Sequence, residues 1–282
     1  MTTIFADGRR AGTLGAVDVL RYDPLSMEQL EGRTAVVTGA ASGIGLAVAE
    51  AFVAAGMRVV MADVDEDNLR SHAARLADQG AEVLAVTADV RDPAAVERVG
   101  AAAVEHFGKL HVAVNNAGVV NSGYSWEIPL EDWHRVLDID LWSVIHGIRS
   151  FVPRILASED EGHVVNTASM AAFMQLGGAS PYVATKHAVV GLSIALAEDL
   201  EQAGSGIHVS VVCPGIVATA FAQPDAEIPP EDDLPAGVVS ARAAAASIRA
   251  GMAARRFYVF THEDSVDIVN DRYRRVLQGF DS

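Results

Sequence analysis

The chain has 282 residues, half of them hydrophobic, with 21 Lys and Arg against 37 Asp and Glu, for a formal net charge of -16. That hydrophobic share is enough for a sizeable core and excludes global disorder, while the negative charge repels phosphodiester backbones and argues against nucleic acid as a partner. The single cysteine, Cys213, excludes an intrachain disulfide and a multi-cysteine metal site.

In chain order, residues 1–30 show no periodicity and read as an arm lying on the domain or on a neighbouring subunit. Their start, MTTIFADGRR, has an acid before its arginines and no basic-then-apolar pattern, so no signal peptide is expected and the cytoplasm is the expected location. The strand TAVVT then runs into Thr38-Gly39-Ala40-Ala41-Ser42-Gly43-Ile44-Gly45. The residues that follow put Ile44, Ala47, Val48, Ala51, Phe52 and Ala55 on one helical face, and Gly56 marks the stop. The second strand, RVVMAD, ends at Asp63, with Asp65 placed to cap a helix. EVLAVTAD follows, then a helix expected to start at Asp92-Pro93 and to stop at Gly108. LHVAVNN and GHVVNTAS come next, then a helix expected to be capped by Ser180 ahead of Pro181, and finally the strands GIHVSVVCP and FYVF. The longest apolar run, Val209 to Ala222, is broken by Ser210 and by Pro214-Gly215, so no membrane span is expected.

Seven candidate strands alternating with helices predict a Rossmann-like, doubly wound α/β fold: a seven-stranded parallel sheet with helices on both faces. No linker divides it, so residues 31–282 are expected to form one domain. The acidic segment 223–237, QPDAEIPPEDDLPAG, follows the sixth strand at the carboxyl edge where ligands bind in such sheets, and is a candidate lid over the substrate.

A glycine-rich turn between a strand and a helix suits a dinucleotide. Gly39, Gly43 and Gly45, with Ser42 and Ile44 between them, let a pyrophosphate approach the free amides of a helix start. Asp63 falls about 20 residues after this turn, where an acid accepts the adenosine ribose hydroxyls. A 2′-phosphate there would face a like charge, and the neighbouring Ser42 and Val64 offer no cation, so NAD is expected in preference to NADP. At the other end, Tyr182 and Lys186 lie at i and i+4 on one helical face. An ammonium beside a phenol favours the phenolate and makes it a usable acid/base. Ser169, ending the fifth strand at the same edge, can steady a substrate oxygen. This set needs no metal, and His72, His106, His111, His134 and His146 form no ligand pattern.

In order, T-G-x3-G-I-G at Thr38 to Gly45, Asp89-Val90, N-N-A-G at Asn115 to Gly118, Ser169, Tyr182, Lys186 and Pro214-Gly215-Ile216-Val217-Ala218-Thr219 resemble the short-chain dehydrogenase/reductase family from about Thr34 onward. The resemblance implies hydride transfer between NAD and a secondary alcohol or ketone. It implies that Asp89 and Val90 frame the adenine, and that Asn116, Ala117 and Gly118 line the cofactor cleft. It also implies that Val217 and Thr219, after Pro214 and Gly215, hold the nicotinamide carboxamide, that Lys186 grips the nicotinamide ribose, and that the chain forms a homotetramer or a dimer. Asp140 departs from the family's asparagine in the central helix. If a backbone carbonyl fills that role the aspartate substitutes for it, whereas an ionised side chain would hold the lysine charged. Trp126, Met170, Phe173, Met174 and Phe221 suggest a small, fairly hydrophobic substrate, or equally a core or a subunit interface. Two other readings are an NADPH-dependent 3-oxoacyl-carrier reductase and a catalytically silent NAD-binding sensor or scaffold.

Overall fold

A computed structural model describes residues 30–221 and 227–280. The expected arm, apart from Leu30, and residues 223–226 of the expected lid lie outside the described residues; Leu30 itself packs in the core. The strands are β1 (Thr34–Thr38), β2 (Arg58–Asp63), β3 (Val83–Thr87), β4 (Val112–Asn115), β5 (Gly162–Thr167), β6 (Ile207–Cys213), β7 (Ile216–Ala218), β8 (Val238–Ser240) and β9 (Tyr258–Phe260). The helices are α1 (Gly43–Ala54), α2 (Glu66–Asp78), α3 (Pro93–Phe107), α4 (Leu130–Leu137), α5 (Ser143–Leu156), α6 (Ser180–Gln202), α7 (Ala241–Ala253) and α8 (Ser265–Gln278). Seven strands form one parallel sheet in the order β3-β2-β1-β4-β5-β6-β9, as the alternating pattern predicts.

The sheet is apolar on both faces because both are covered. Along β1 and β2, Ala35, Val37, Val59 and Met61 point into one layer with Phe52 of α1 and Ile248 and Met252 of α7. The intervening Val36, Val60 and Ala62 point into the other, with Val99 of α3 and Phe151 and Ile155 of α5. This two-residue alternation feeding two separate cores makes the fold doubly wound.

Local signals set most boundaries. The Asp92 side chain accepts from the Ala94 amide with Pro93 at the first position of α3, Gly108 ends that helix, and Asp65 caps α2 through the Asn68 amide. The start of α6 differs from expectation by one residue: Ala179 is its N-cap, Ser180 and Pro181 are already helical, and Ser180 Oγ instead meets Ser125 Oγ in the loop after β4. A two-stranded ribbon of β7 and β8 was not anticipated, since strands of three residues are too short to carry a period. Between α4 and α5 a π-helical turn, Asp138–Trp142, tucks Asp140 into the interior. No described helix is long and apolar enough to cross a membrane.

One buried ring ties stability to pH. His163 on β5 is 2% exposed. Ser210 Oγ donates to the Arg256 carbonyl, so His163 Nε2 carries a proton and donates to Ser210 Oγ at 2.8 Å. Burial, aided by the nearby charges of His208 and Arg255, pushes its pKa down to about 3. In the unfolded chain it titrates near ~6.5, so its contribution is complete above that pH and is lost as pH falls. Melting temperature is therefore expected to fall as pH drops from about 6.5 to about 5, at up to about 1.4 kcal/mol per pH unit from this ring. His163→Gln, measured by thermal melts across that range, should show a shallower fall; equal slopes would contradict the assignment.

Candidate active site

The carboxyl ends of the parallel strands meet at one rim. At the end of β1, Thr38 Oγ1 accepts from the Asn116 and Ala117 amides at 2.9 and 3.2 Å, and Asn116 Nδ2 donates to the Thr38 carbonyl at 3.1 Å. The glycine turn is thereby laced to the turn after β4. Gly39 and Gly43 have φ of 68° and 54°, a left-handed backbone that favours glycine. Gly45 leaves no space at all: a Cβ there would lie 2.0 Å from the Gly39 carbonyl oxygen and 2.6 Å from Asn116 Nδ2. Ser42 precedes α1 without a side-chain cap, so the helix start keeps amides that a phosphate can use. A Cβ on Gly43 would meet Thr219 Cγ2 at 3.3 Å, which brings the segment after β6 to the same turn. These features fit a bound dinucleotide.

The residues expected on the adenosine side end or follow β2 and β3. Asp63 Oδ2 accepts from the Ala41 amide at 2.9 Å and Oδ1 from the Asp65 amide at 3.1 Å, so the carboxylate is fixed against the glycine turn. Arg91 reaches both oxygens of Asp89 through Nε at 3.0 and 2.9 Å, and these bonds hold the carboxyl below its usual range. Val90 is buried and its carbonyl pairs with His146 Nδ1 at 3.0 Å, a partner for that histidine that spacing alone did not reveal.

The reactive side chains converge from β5, the π turn and α6. Ser169 follows β5; its Oγ accepts from the Ala171 amide at 3.0 Å and makes only a long bond, 3.5 Å, to the Pro214 carbonyl. The Pro214 carbonyl also accepts from the Met170 amide at 2.8 Å, tying the ends of β5 and β6 together. Gly215 packs on the His262 ring, where a Cβ would lie 2.8 Å from Nδ1, and Val217 sits in β7. Tyr182 lies in the first turns of α6, with Lys186 Nζ 5.4 Å from its ring centre and the Phe221 ring 6.0 Å away. Lys186 Nζ donates to the Thr167 carbonyl at 3.1 Å and lies 3.1 Å from Asp140 Oδ2, while Asp140 Oδ1 accepts from the Val119 amide at 2.8 Å. Gly118 passes beside this pair: a Cβ there would be 3.5 Å from both Asp140 Oδ2 and Lys186 Nζ.

Both charges are buried, Asp140 at 0% and Lys186 at 3% exposure. Burial is the largest single influence and acts to lower the lysine, but the charge and hydrogen bond of Asp140, together with Tyr182, hold the ammonium above its usual range. Burial pushes the Asp140 carboxyl up, against the pull of Lys186 and the Val119 amide. Cys213 is also buried, its thiol pushed up to about 12 by burial, and serves packing. Beneath the site a polar relay runs across the sheet: Asn115 Nδ2 donates to Asn166 Oδ1 at 2.8 Å, and Asn166 Nδ2 donates to Ser193 Oγ of α6 at 3.0 Å. Its signal was available, since two asparagines interrupt otherwise apolar strand runs. Of the expected pocket residues, Met170 and Phe173 are core, Phe173 meeting Tyr258 and Phe260 edge-on, whereas Met174, Phe221 and Trp126 are exposed and Trp126 stacks on Tyr124. Among the described residues no group of three or more His, Cys, Asp or Glu could hold a metal ion.

The family model described as short chain dehydrogenase matches residues 33–228. The chain belongs to the short-chain dehydrogenase family. It is accordingly an oxidoreductase that moves a hydride between a nicotinamide dinucleotide and a secondary alcohol or ketone. It is similar to a 1-deoxy-11-beta-hydroxypentalenate dehydrogenase of Streptomyces avermitilis, 41% identical over 249 residues that cover 88% of this chain and 91% of that one. A CLA biosynthesis dehydrogenase/reductase of Lactiplantibacillus plantarum is 30% identical, with 89% and 95% covered. Among solved structures, a short chain dehydrogenase/reductase from Burkholderia phymatum in complex with NAD superposes with a TM-score of 0.83 at 36% identity, covering 89% of this chain and 96% of that one.

Crowding at Gly45 gives a test of the turn. In Gly45→Ala the added methyl must displace backbone, so NADH affinity, read by fluorescence titration, is expected to fall at least about tenfold, a loss of about 1.4 kcal/mol. Unchanged affinity would show that the turn does not carry the cofactor.

Proposed function

We propose that the protein is an NAD-preferring dehydrogenase that oxidises a small, fairly hydrophobic secondary alcohol or reduces the matching ketone. The observation that carries this reading is the buried ammonium of Lys186 facing the Tyr182 ring. An ordinary tyrosine titrates near ~10, and a desolvated positive charge alongside favours its phenolate. Tyr182 Oη then takes the alcohol proton in oxidation and returns it in reduction. Ser169 Oγ, whose one acceptor among the described residues is 3.5 Å away, has its hydrogen available for the substrate oxygen. Asp140 acts through Lys186, which it touches.

Bound nicotinamide dinucleotide supplies the hydride acceptor or donor. Gly39, Ser42, Gly43, Ile44 and Gly45 would hold its pyrophosphate; Asp63 its adenosine ribose; Asp89 and Val90 the adenine. Asn116, Ala117 and Gly118 would line the cleft, with Tyr182 and Lys186 at the nicotinamide ribose and Pro214, Gly215, Val217 and Thr219 at the carboxamide. Preference for NAD is supported by Asp63, whose charge is fixed beside the turn, with the exposed and uncharged Val64 next to it. The relatives named as dehydrogenases of 1-deoxy-11-beta-hydroxypentalenate make hydroxylated organic acids the first compounds to assay. Exposed Met174 and Phe221, Phe221 close to Tyr182, support an apolar substrate body. Exposed Leu130, Trp142 and Leu156 on α4, the π turn and α5 support assembly as a homo-oligomer, tetramer or dimer.

Two measurements test this reading. Tyr182→Phe is expected to lower kcat/KM by about 10²- to 10⁴-fold; turnover that survives would remove the mechanism. With steady-state kinetics on each cofactor, the native protein should favour NAD over NADP by about a hundredfold or more, and Asp63→Asn should cut that ratio at least about tenfold. An unchanged ratio would assign the preference elsewhere.

A further inference from the structure

The Asp140 carboxylate does something a neutral side chain in its place could not. It is the carboxylate that, among the described residues, lies within ion-pair distance of Lys186. The groups facing this pair can be named from each element packed against it. From α6 come Lys186 itself and Tyr182; from β6, the neutral Cys213 thiol; from β5, the uncharged Thr167 carbonyl; from the loop after β4, the Val119 amide. From α4, Arg135 acts on Asp140 only as a weaker attraction, and His146 of α5 is turned to the Val90 carbonyl.

Resting on the reading that Tyr182 is the acid/base, we infer that Asp140 is a positioning residue that sets the pH window of the reaction toward the alkaline side. Its carboxylate keeps protons on both Lys186 and Tyr182 to higher pH than a neutral residue would. The sign follows from charge alone. A fixed anion makes loss of a proton harder at every neighbouring group, whether the group goes from neutral to negative, as the phenol does, or from positive to neutral, as the ammonium does. Oxidation needs the phenolate, so its rate rises with pH as Tyr182 loses its proton. It also needs the ammonium, so it falls again when Lys186 loses its own. Both limbs are therefore held at higher pH by the one carboxylate. The effect is largest on Lys186, since both members of that pair are buried and 3.1 Å apart, and Tyr182 beyond the ammonium feels the same sign: at an effective dielectric near 20, one charge several Å away moves a titration by about one to two pH units. Without Asp140, burial acts on Lys186 against weaker opposition, the Thr167 carbonyl and Tyr182, and brings its deprotonation toward the working range.

Asp140→Asn keeps an oxygen for the Val119 amide and removes only the charge; Asp140→Ser is a second neutral replacement. The profile of kcat/KM against pH for alcohol oxidation, at saturating NAD and constant ionic strength, is compared with that of the native enzyme. In parallel, ultraviolet difference titration of tyrosinate, with the matching Tyr182→Phe protein subtracted, follows Tyr182 without turnover. Both variants should move the acid limb and the Tyr182 titration to lower pH by about one unit or more, with a descending alkaline limb appearing in the assayed range. A limb and titration that stay within about 0.2 unit of native, or that move to higher pH, would overturn the inference. Failure of the underlying reading shows differently, as activity that persists in Tyr182→Phe. Where a variant loses turnover, the tyrosinate titration alone decides.

Discussion

A buried ammonium has to be paired, and the pairing of Lys186 organises the rim of this molecule. Removing its charge from water costs several kcal/mol, which is recovered only when good partners are fixed around it. Those partners come from separate parts of the chain: the Thr167 carbonyl from β5 and the Asp140 carboxylate from the π turn, itself gripped by the Val119 amide after β4. The charge thus welds β4, β5, α6 and the α4–α5 junction at one point. The π turn has its explanation here, because the distortion carries a carboxylate into the interior at the level of the lysine.

The cofactor side obeys a different constraint, closeness of backbone to backbone. Thr38 stitches the end of β1 to the turn after β4, and Gly45 is pressed so tightly against Gly39 and Asn116 that no side chain fits. Gly118 then runs from this crowded turn to the buried ion pair. Gly118 thus joins the two halves of the site, so that a dinucleotide laid along the first would have its reactive end at the second. Parallel strands make this possible, since all their carboxyl ends lie on one edge.

Much of this was legible in the residues. The sheet, the glycine turn and the caps at Asp65 and Asp92 each rest on a local rule, whether period, backbone freedom or a side-chain oxygen near free amides. The i, i+4 spacing of Tyr182 and Lys186 was equally plain. What escaped depends on tertiary packing. Met170 and Phe173 read as pocket or core alike until the chain's path past β9 put Phe173 against Tyr258 and Phe260. The ribbon of β7 and β8 is too short to have a period, and the cap of α6 fell one residue early. For Asp140 the sequence left open whether backbone or side chain carries its role; the fold turns its carboxylate onto Lys186. The Asn115 and Asn166 relay was detectable in principle as polar residues in register on neighbouring buried strands.

That a phenol activated by a sealed positive charge meets both cofactor and substrate at one rim can be seen directly. A crystal structure with NAD and an unreactive alcohol analogue should place the analogue's oxygen within hydrogen-bond reach of both Tyr182 Oη and Ser169 Oγ, with the nicotinamide ring on the Thr219 side of that oxygen. An analogue whose oxygen binds away from Tyr182, or a nicotinamide ring directed off this rim, would contradict the account.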